Sequence, residues 1–169
     1  SNFQEEVESI ILGAESVEEF IPFLKNKKIG LVSNSSSIIR SDYKKVHLLD
    51  TLIKLKQKIK AVFAPEHGFL SDKENGALIK NDFDFKRNMN IYSLYGKNKK
   101  PSPNQLKGID IMVFDLQDVG ARFYTYLSTL YYTMQACAEN KIPLIILDRP
   151  NPNGHYIDGP ILEKEFISF

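Results

Sequence analysis

The sequence predicts an α/β fold in a single domain, a Rossmann-like parallel sheet with helices on both faces. Short apolar, β-branched runs alternate with longer segments of helical periodicity, which is typical of parallel strands joined by crossover helices. The chain has 169 residues, of which 43% are hydrophobic and 25% are charged, the composition of one ordinary globular domain. It contains no internal repeat and no segment that looks like a linker between two domains.

In the first half of the chain, a capping box formed by Ser16 and Glu19 predicts the start of a helix, and Pro22 predicts a kink within it. Apolar residues near helical spacing predict a second helix within residues 43–57. Two apolar, β-branched runs predict strands at Lys28–Ser33 and at residues 59–64, the latter ended by Pro65.

In the second half, a short strand is expected at residues 91–94 and a short helix at residues 103–107, stopped by Gly108. Residues 109–116 are strongly apolar and predict a central strand that is covered on both faces. Apolar residues then recur at helical spacing through residues 124–140, which predicts a long amphipathic helix, and residues 143–147 predict a last buried strand.

Composition and motifs exclude several classes of protein. The 22 basic and 21 acidic residues give a net charge of +1, too little to concentrate nucleic acid. Cys137 is the single cysteine, so a zinc finger, a redox CxxC motif and an iron–sulfur cluster are excluded. No apolar run reaches the roughly 18 residues that a membrane-spanning helix needs. No GxGxxG or GxxxxGK[ST] motif is present, so we expect no NAD, FAD or ATP, and no cofactor.

The start of the chain is neither basic nor apolar and is therefore not a signal peptide, although one that had been removed would leave no trace. Charge is also uneven: residues 1–24 hold six glutamates and no basic residue, whereas residues 25–60 hold ten basic residues. We interpret both runs as solvated faces and assign them no function.

Ligands of open parallel sheets bind beyond the carboxyl ends of the strands. Four predicted strands run into polar clusters there, at residues 33–37, 65–68, 115–122 and 148–152. We expect these clusters to form one polar pocket, suited to acid/base catalysis, to a hard metal ion or to sugar recognition. The residues expected to bind substrate are Asn34, Gln117, Asp118, Arg122, Tyr124, Arg149 and Asn151. For the two arginines the alternative is an internal ion pair, of Arg122 with Asp118 and of Arg149 with Asp148.

Three residues are candidates for catalysis. Glu66 lies between a strand end and a Pro/Gly-shaped turn, where partial desolvation would raise its pKa towards that of a general acid; the alternative is a helix-capping or salt-bridging role. His67 would orient a substrate hydroxyl, relay a proton or ligate a metal, or else make structural hydrogen bonds. Asp115 or Asp118 would supply a second carboxylate, or cap the following helix.

At these residues the sequence resembles a known family, the NamZ-type exo-β-N-acetylmuramidases, bacterial peptidoglycan glycosidases long catalogued as a domain of unknown function. The similar stretches occur in family order, and the strings FAPEHGF and FDLQDVGARFYTY are highly specific. They are residues 30–34, 63–69, 92–96, 113–126, 147–152 and 158–160.

The resemblance implies an exo-acting hydrolase that releases N-acetylmuramic acid from the non-reducing ends of peptidoglycan fragments, in the periplasm or outside the cell. It implies that Glu66, in the family's PEHG motif, is the catalytic acid. It gives Arg122 or Arg149 a reason to be in the pocket, because muramic acid carries a lactyl carboxylate. It also implies a second, C-terminal domain that completes the cleft, which we expect to be absent from residues 1–169.

Two departures from the family pattern motivate a competing hypothesis. Leu70 and Ser71 replace the usual arginine and glycine after the histidine-glycine turn, and SNSSS at residues 33–37 replaces TNQTG. The competing hypothesis is a non-catalytic module that binds muramic acid. A third, a metal-dependent hydrolase with Glu66, His67 and Asp115 as ligands, is disfavoured because no HExxH or similar spacing occurs.

Overall fold

The computed structural model describes residues 9–13, 17–33, 38–41, 44–65, 82–85, 87–116 and 123–148. These residues form a seven-stranded sheet, a two-stranded antiparallel hairpin and four helices. The bounds in chain order are β1 (Ser9–Gly13), α1 (Val17–Leu24), β2 (Lys28–Ser33), β3 (Ile38–Ser41), β4 (Lys44–His47), α2 (Leu48–Lys54), β5 (Lys58–Ala64), β6 (Asp82–Asp84), β7 (Met89–Ser93), α3 (Pro103–Leu106), β8 (Ile111–Asp115), α4 (Phe123–Glu139) and β9 (Leu144–Asp148).

The strand order in the sheet is β1-β9-β8-β2-β5-β7-β6. All neighbouring strands are parallel except β6, which runs antiparallel to β7 at one edge. From β2 the chain winds outward through β5 to β7, and then returns to β8 on the other side of β2 before continuing to β9. The direction of winding therefore reverses between β2 and β8, which is the topological switch point of a doubly wound sheet.

Each face of the sheet carries a hydrophobic core, as predicted. On one face, α1 and α2 pack against the sheet; on the other, α3 and α4 do. A leucine or phenylalanine that is fully buried in this way contributes roughly 1.5–3 kcal/mol. The buried helix side chains are Phe20, Leu24, Leu48, Leu49 and Leu52 on the first face, and Leu106, Leu130, Met134, Ala136 and Cys137 on the second.

Local signals fix the ends of the helices. The N-cap of α3 is a reciprocal capping box: the backbone N–H of Gln105 donates to Ser102 Oγ over 3.3 Å, and the backbone N–H of Ser102 donates to Gln105 Oε1 over 3.0 Å. Helix α4 ends in a Schellman motif, in which Ile142 N donates to the carbonyl of Cys137 over 2.9 Å. Lys141 takes the left-handed conformation that this motif requires, with φ of 54°.

Most predicted elements are confirmed within a few residues, and three differences stand out. The helix expected within residues 43–57 is shorter, because Lys44–His47 pairs with Ile38–Ser41 as a hairpin. Strands β1 and β6 were not predicted from the sequence. Both lie at the edges of the sheet and are short, so periodicity gives little signal for them. Ser16, the predicted helix cap, lies outside the described residues.

In the described part of the chain, no helix has both the length and the apolar character needed to cross a membrane.

Candidate active site

Two buried polar residues meet at the switch point. Ser33 ends β2 and Asp115 ends β8, and the two lie directly opposite each other in the register of these parallel strands. Both side chains are 0% exposed. Crevices at the carboxyl ends of strands, at the point where winding reverses, are where ligands of doubly wound folds bind.

Asp115 breaks an otherwise apolar strand. The four residues before it, Ile111 to Phe114, are all buried and hydrophobic, and Asp115 is the one acidic or basic side chain buried among the described residues. Removing a carboxylate from water costs several kcal/mol unless other groups compensate. A buried carboxylate that ends a central strand is therefore more informative than an exposed one, because packing alone favours an apolar residue there.

The neighbouring strand leads directly to Glu66. Strand β5 pairs with β2 through Phe63 and Val32, so its end lies beside Ser33 at the same edge. The backbone N–H of Leu94 donates to the carbonyl of Ala64 over 2.9 Å, which ties this end to β7. Pro65 follows and is buried. Glu66 and His67 come next in the chain and lie outside the described residues.

Aromatic side chains border this edge. Tyr124 lies in the first turn of α4, the helix that follows β8, and is 86% exposed. Tyr126 is half-buried instead and packs edge-on against Phe114, with ring centroids 5.5 Å apart. Tyr95, two residues beyond β7, is exposed, and its backbone N–H donates to Ser93 Oγ over 3.2 Å. Tyr124 is thus largely exposed, whereas Tyr126 packs against the core.

Of the residues predicted to form the site, the structure describes Asp115 and Tyr124. It adds Tyr95, which the sequence did not single out, and it shows the burial of Ser33, which the sequence placed in the polar cluster at residues 33–37 but not among the substrate-binding residues. The residues that lie outside the described part of the chain are Asn34, Glu66, His67, Gln117, Asp118, Arg122, Arg149 and Asn151.

The described residues provide neither a metal site nor a reactive thiol. Among the residues that the structure describes, no three His, Cys, Asp or Glu side chains are grouped so as to hold a metal ion. Cys137 is buried in the core on the α4 face, as the sequence predicts, and burial raises the pKa of its thiol to about 12. A thiol in this environment stays protonated and is not a nucleophile at neutral pH.

Comparison with known proteins identifies a matching family and a similar curated protein. Residues 29–169 match the family described as "Exo-beta-N-acetylmuramidase NamZ, N-terminal". The chain is 48% identical over 147 residues to the peptidoglycan beta-N-acetylmuramidase NamZ of Bacillus subtilis (strain 168), covering 86% of this chain and 35% of that protein. The chain therefore spans about a third of the length of this curated relative.

Two solved structures are also similar, both described as DUF1343 family proteins of Bacteroides fragilis NCTC 9343. One has a TM-score of 0.65 and 41% identity, covering 92% of this chain and 40% of its own. The other has a TM-score of 0.65 and 37% identity, covering 80% of this chain and 33% of its own. The α/β architecture seen here is thus shared with proteins of known structure.

Proposed function

Since this chain belongs to the NamZ family, through that family's N-terminal domain, we propose that it is the N-terminal part of an exo-acting glycoside hydrolase that releases N-acetylmuramic acid from the non-reducing ends of peptidoglycan fragments. The observation that carries the proposal is the 48% identity to a protein named as a peptidoglycan beta-N-acetylmuramidase. The buried Ser33–Asp115 pair at the switch point supports it, because it marks the crevice in which such a fold binds ligands.

In this proposal Glu66 is the general acid. It gives its proton to the glycosidic oxygen while the bond from that oxygen to the anomeric carbon of N-acetylmuramic acid breaks. His67 then holds Glu66 or a substrate hydroxyl in position. Two features support this assignment: the PEHG motif, and the tethering of the β5 end by Leu94, which fixes the chain immediately before Glu66.

The second group that the reaction needs is Asp118, Asp115 or the acetamido oxygen of the substrate itself. The full burial of Asp115 favours a positioning role for this carboxylate over direct contact with the sugar. NMR of the released sugar tests the last option: an inverted anomer would exclude the acetamido oxygen, because its participation requires retention of configuration.

Substrate recognition follows from the chemistry of muramic acid. Its lactyl carboxylate pairs with Arg122 or Arg149, since a guanidinium binds a carboxylate with two parallel hydrogen bonds. Asn34, Gln117 and Asn151 provide hydrogen bonds to sugar hydroxyl and acetamido groups. The exposed ring of Tyr124 stacks on a sugar face.

The test uses the full-length protein and compares Glu66→Gln with Glu18→Gln, a matched change at an exposed glutamate of α1. On a muramyl disaccharide we expect Glu66→Gln to lower kcat by about 10²–10⁴-fold, the usual contribution of a general acid, and Glu18→Gln to leave it unchanged. On a nitrophenyl N-acetylmuramide the loss should be smaller, because nitrophenolate departs with little protonation. Wild-type turnover of the disaccharide by Glu66→Gln would remove Glu66 from this role.

The same assay decides between hydrolase and binding module. Binding of N-acetylmuramic acid in calorimetry, without any release by the full-length protein, would overturn the hydrolase and favour the module.

We further propose that the protein acts in the periplasm or outside the cell, in cell-wall turnover, and that a C-terminal domain completes the cleft. Release by residues 1–169 alone would contradict the last point.

A further inference from the structure

The edge of the sheet opposite the candidate active site contains an open groove of about 420 Å³. It lies at the amino-terminal ends of β2, β5 and β7. Lys28 and Lys58 are the first residues of their strands, and Asn88 immediately precedes β7. The groove is lined by Lys28, Ile53, Gln57, Lys58, Ile59, Lys60, Arg87 and Asn88. Four of these eight residues are basic and none is acidic.

Two of the lysines are placed where stability disfavours them. Lys28 and Lys58 lie directly opposite each other on adjacent parallel strands, whose backbones are about 4.8 Å apart. Like charges opposite each other across strands are destabilising. Neither makes an ion pair with any residue that the structure describes. Both side chains are exposed, so water and salt screen part of this repulsion, and a bound anion would remove more of it.

The other two basic residues are held by neighbouring groups. Lys60 Nζ donates to the backbone carbonyl of Lys107, which fixes the ammonium at the wall of the groove. The Arg87 guanidinium donates to Asp84 over 2.9 Å and lies 3.5 Å from Asp50. These two carboxylates offset the charge of Arg87, and the hydrogen bond from Arg87 to Asp84 raises the pKa of the guanidinium. The uncompensated charge of the groove is thus carried by lysines.

Helix ends do not account for these lysines. Lysines in the last turn of a helix interact favourably with its dipole, which explains Lys54 in α2. Lys28, Lys58 and Lys60 instead belong to strands, which have only small net dipoles. Asp110 lies nearby, with its carboxylate accepting the backbone N–H of Lys28 over 2.8 Å, and it offsets at most part of the charge.

From this arrangement we propose that the amino-terminal edge of the sheet binds a phosphate-bearing anionic polymer along the groove lined by Lys28, Lys58, Lys60 and Arg87. The polymer is not a nucleic acid, which the net charge of +1 disfavours. Lysine ammonium groups bind phosphate as point charges, whereas recognition of carboxylates typically uses the fork of a free arginine, and Arg87 is already engaged by Asp84. The groove is open rather than enclosed, which suits a chain of repeating charges better than a single small anion.

The site would be independent of the proposed hydrolase site. Lys58 and Ala64 are the two ends of β5, and seven residues of strand separate the edges by about 20 Å. A polymer held at the amino-terminal edge would leave the switch point open to a glycan end. The proposal concerns binding only, so it stands or falls without reference to glycosidase activity.

The experiment measures binding of short linear inorganic polyphosphate to the full-length protein by calorimetry, at several salt concentrations. Lys28→Gln/Lys58→Gln is compared with Lys97→Gln/Lys99→Gln, a matched pair of exposed lysines away from the groove. We expect the groove variant to bind about tenfold more weakly or worse, and the control to bind within about twofold of the unmodified protein. The slope of log K against log salt should fall by about 1.5, since each neutralised phosphate contributes about 0.7–0.9.

A stability measurement shows whether weaker binding by the groove variant is caused by misfolding. Without polyphosphate, the groove variant should unfold at the same temperature as the unmodified protein or slightly higher, because it removes a like-charge pair. Equal weakening by both variants would overturn the proposal, since the attraction would then be diffuse. Orthophosphate binding as tightly as polyphosphate, poly-L-glutamate binding more tightly, or no binding of polyphosphate at all would each overturn it as well.

Discussion

Gly30, in the middle of β2, offers a sharp test of how tightly the strands beside the switch point are packed. A Cβ added at this position would lie 2.9 Å from Ile109 Cδ1 and would overlap Met112 Sδ. Ordinary contacts between such atoms are about 3.5–4.0 Å, so Ile109 would have to move by about 0.6–1.1 Å and Met112 by more. Met112 is 0% exposed and Ile109 is nearly as buried, so they have little space into which to move.

The expected cost of Gly30→Ala follows from two opposing effects. Overpacking a core costs about 1–3 kcal/mol, whereas replacing a strand glycine with alanine recovers about 0.5–1 kcal/mol of chain entropy. We therefore expect a net loss of about 1–2 kcal/mol in the free energy of unfolding. For a domain of this size this corresponds to a fall of roughly 2–8 °C in Tm. Urea denaturation followed by circular dichroism measures the first quantity, and a thermal scan the second.

A double-mutant cycle with Met112→Ala tests the mechanism. Met112→Ala alone should cost about 2–5 kcal/mol, because it leaves a cavity. In the Gly30→Ala background it should cost at least about 1 kcal/mol less, since the new methyl group occupies space that the methionine vacates. Additivity within about 0.5 kcal/mol, or a gain in stability from Gly30→Ala alone, would refute the argument from close packing.

Three further predictions concern other parts of the molecule. Cys137 should react with a thiol reagent at neutral pH only after unfolding. Its thiol should also lower stability as pH rises from about 9 towards about 12, because the unfolded thiol ionises first; Cys137→Ala should make the decline over this pH range shallower. Lys141→Gly should raise stability by up to about 1 kcal/mol in urea denaturation, because φ is 54° there, whereas Lys107→Gly, at φ of −58°, should not. Tyr124→Ala should change stability by no more than about 0.5 kcal/mol but raise KM for a muramyl disaccharide about 2–10-fold in the full-length protein, as loss of a stacking contact predicts.

The elements that the sequence predicted well are those with long apolar signals. Strand β8 and helix α4 carry long apolar signals, and both appear within about two residues of the predicted bounds. Within α4, Leu130, Met134 and Cys137 are buried as the helical spacing indicates, but Tyr131 is 49% exposed and packs against Tyr132. A tyrosine on the margin of an apolar stripe is amphipathic, so periodicity alone does not decide its position.

The elements that the sequence missed depend on partners far along the chain. Ser9–Gly13 forms a strand because it pairs in parallel with Leu144–Asp148, at the other end of the described residues. Lys44–His47 is rich in lysine and has weak β propensity, yet it pairs with Ile38–Ser41. Its Val46 falls at helical spacing with the following leucines, which is why the sequence favoured one longer helix there. The periodicity of a short segment does not show that it will pair with a strand elsewhere in the chain.

The candidate site likewise combines local features, which the sequence shows, with features that depend on the whole sheet, which it does not show. Sequence reasoning identifies polar residues at strand ends, because each strand end is a local feature. It does not say which ends are neighbours, because the strand order β9-β8-β2-β5 is a property of the whole sheet. The opposition of Ser33 and Asp115 follows from that order and from the register of β2 against β8.

Asp115 is the one departure from the apolar pattern of β8, and its position at the switch point makes this departure informative. Complete burial of β8 favours a hydrophobic residue at its last position, and the sequence instead has a carboxylate where the winding of the sheet opens a crevice. Functional sites are where locally unfavourable residues persist, because the rest of the fold compensates for their cost. Lys28 and Lys58, at the opposite edge of the same sheet, are exposed, and what is unfavourable there is the pairing of like charges across adjacent strands. Asp115 lies at the carboxyl end of the central strands, and Lys28 and Lys58 lie at the amino end. Each of these two edges of the sheet is therefore a candidate ligand site.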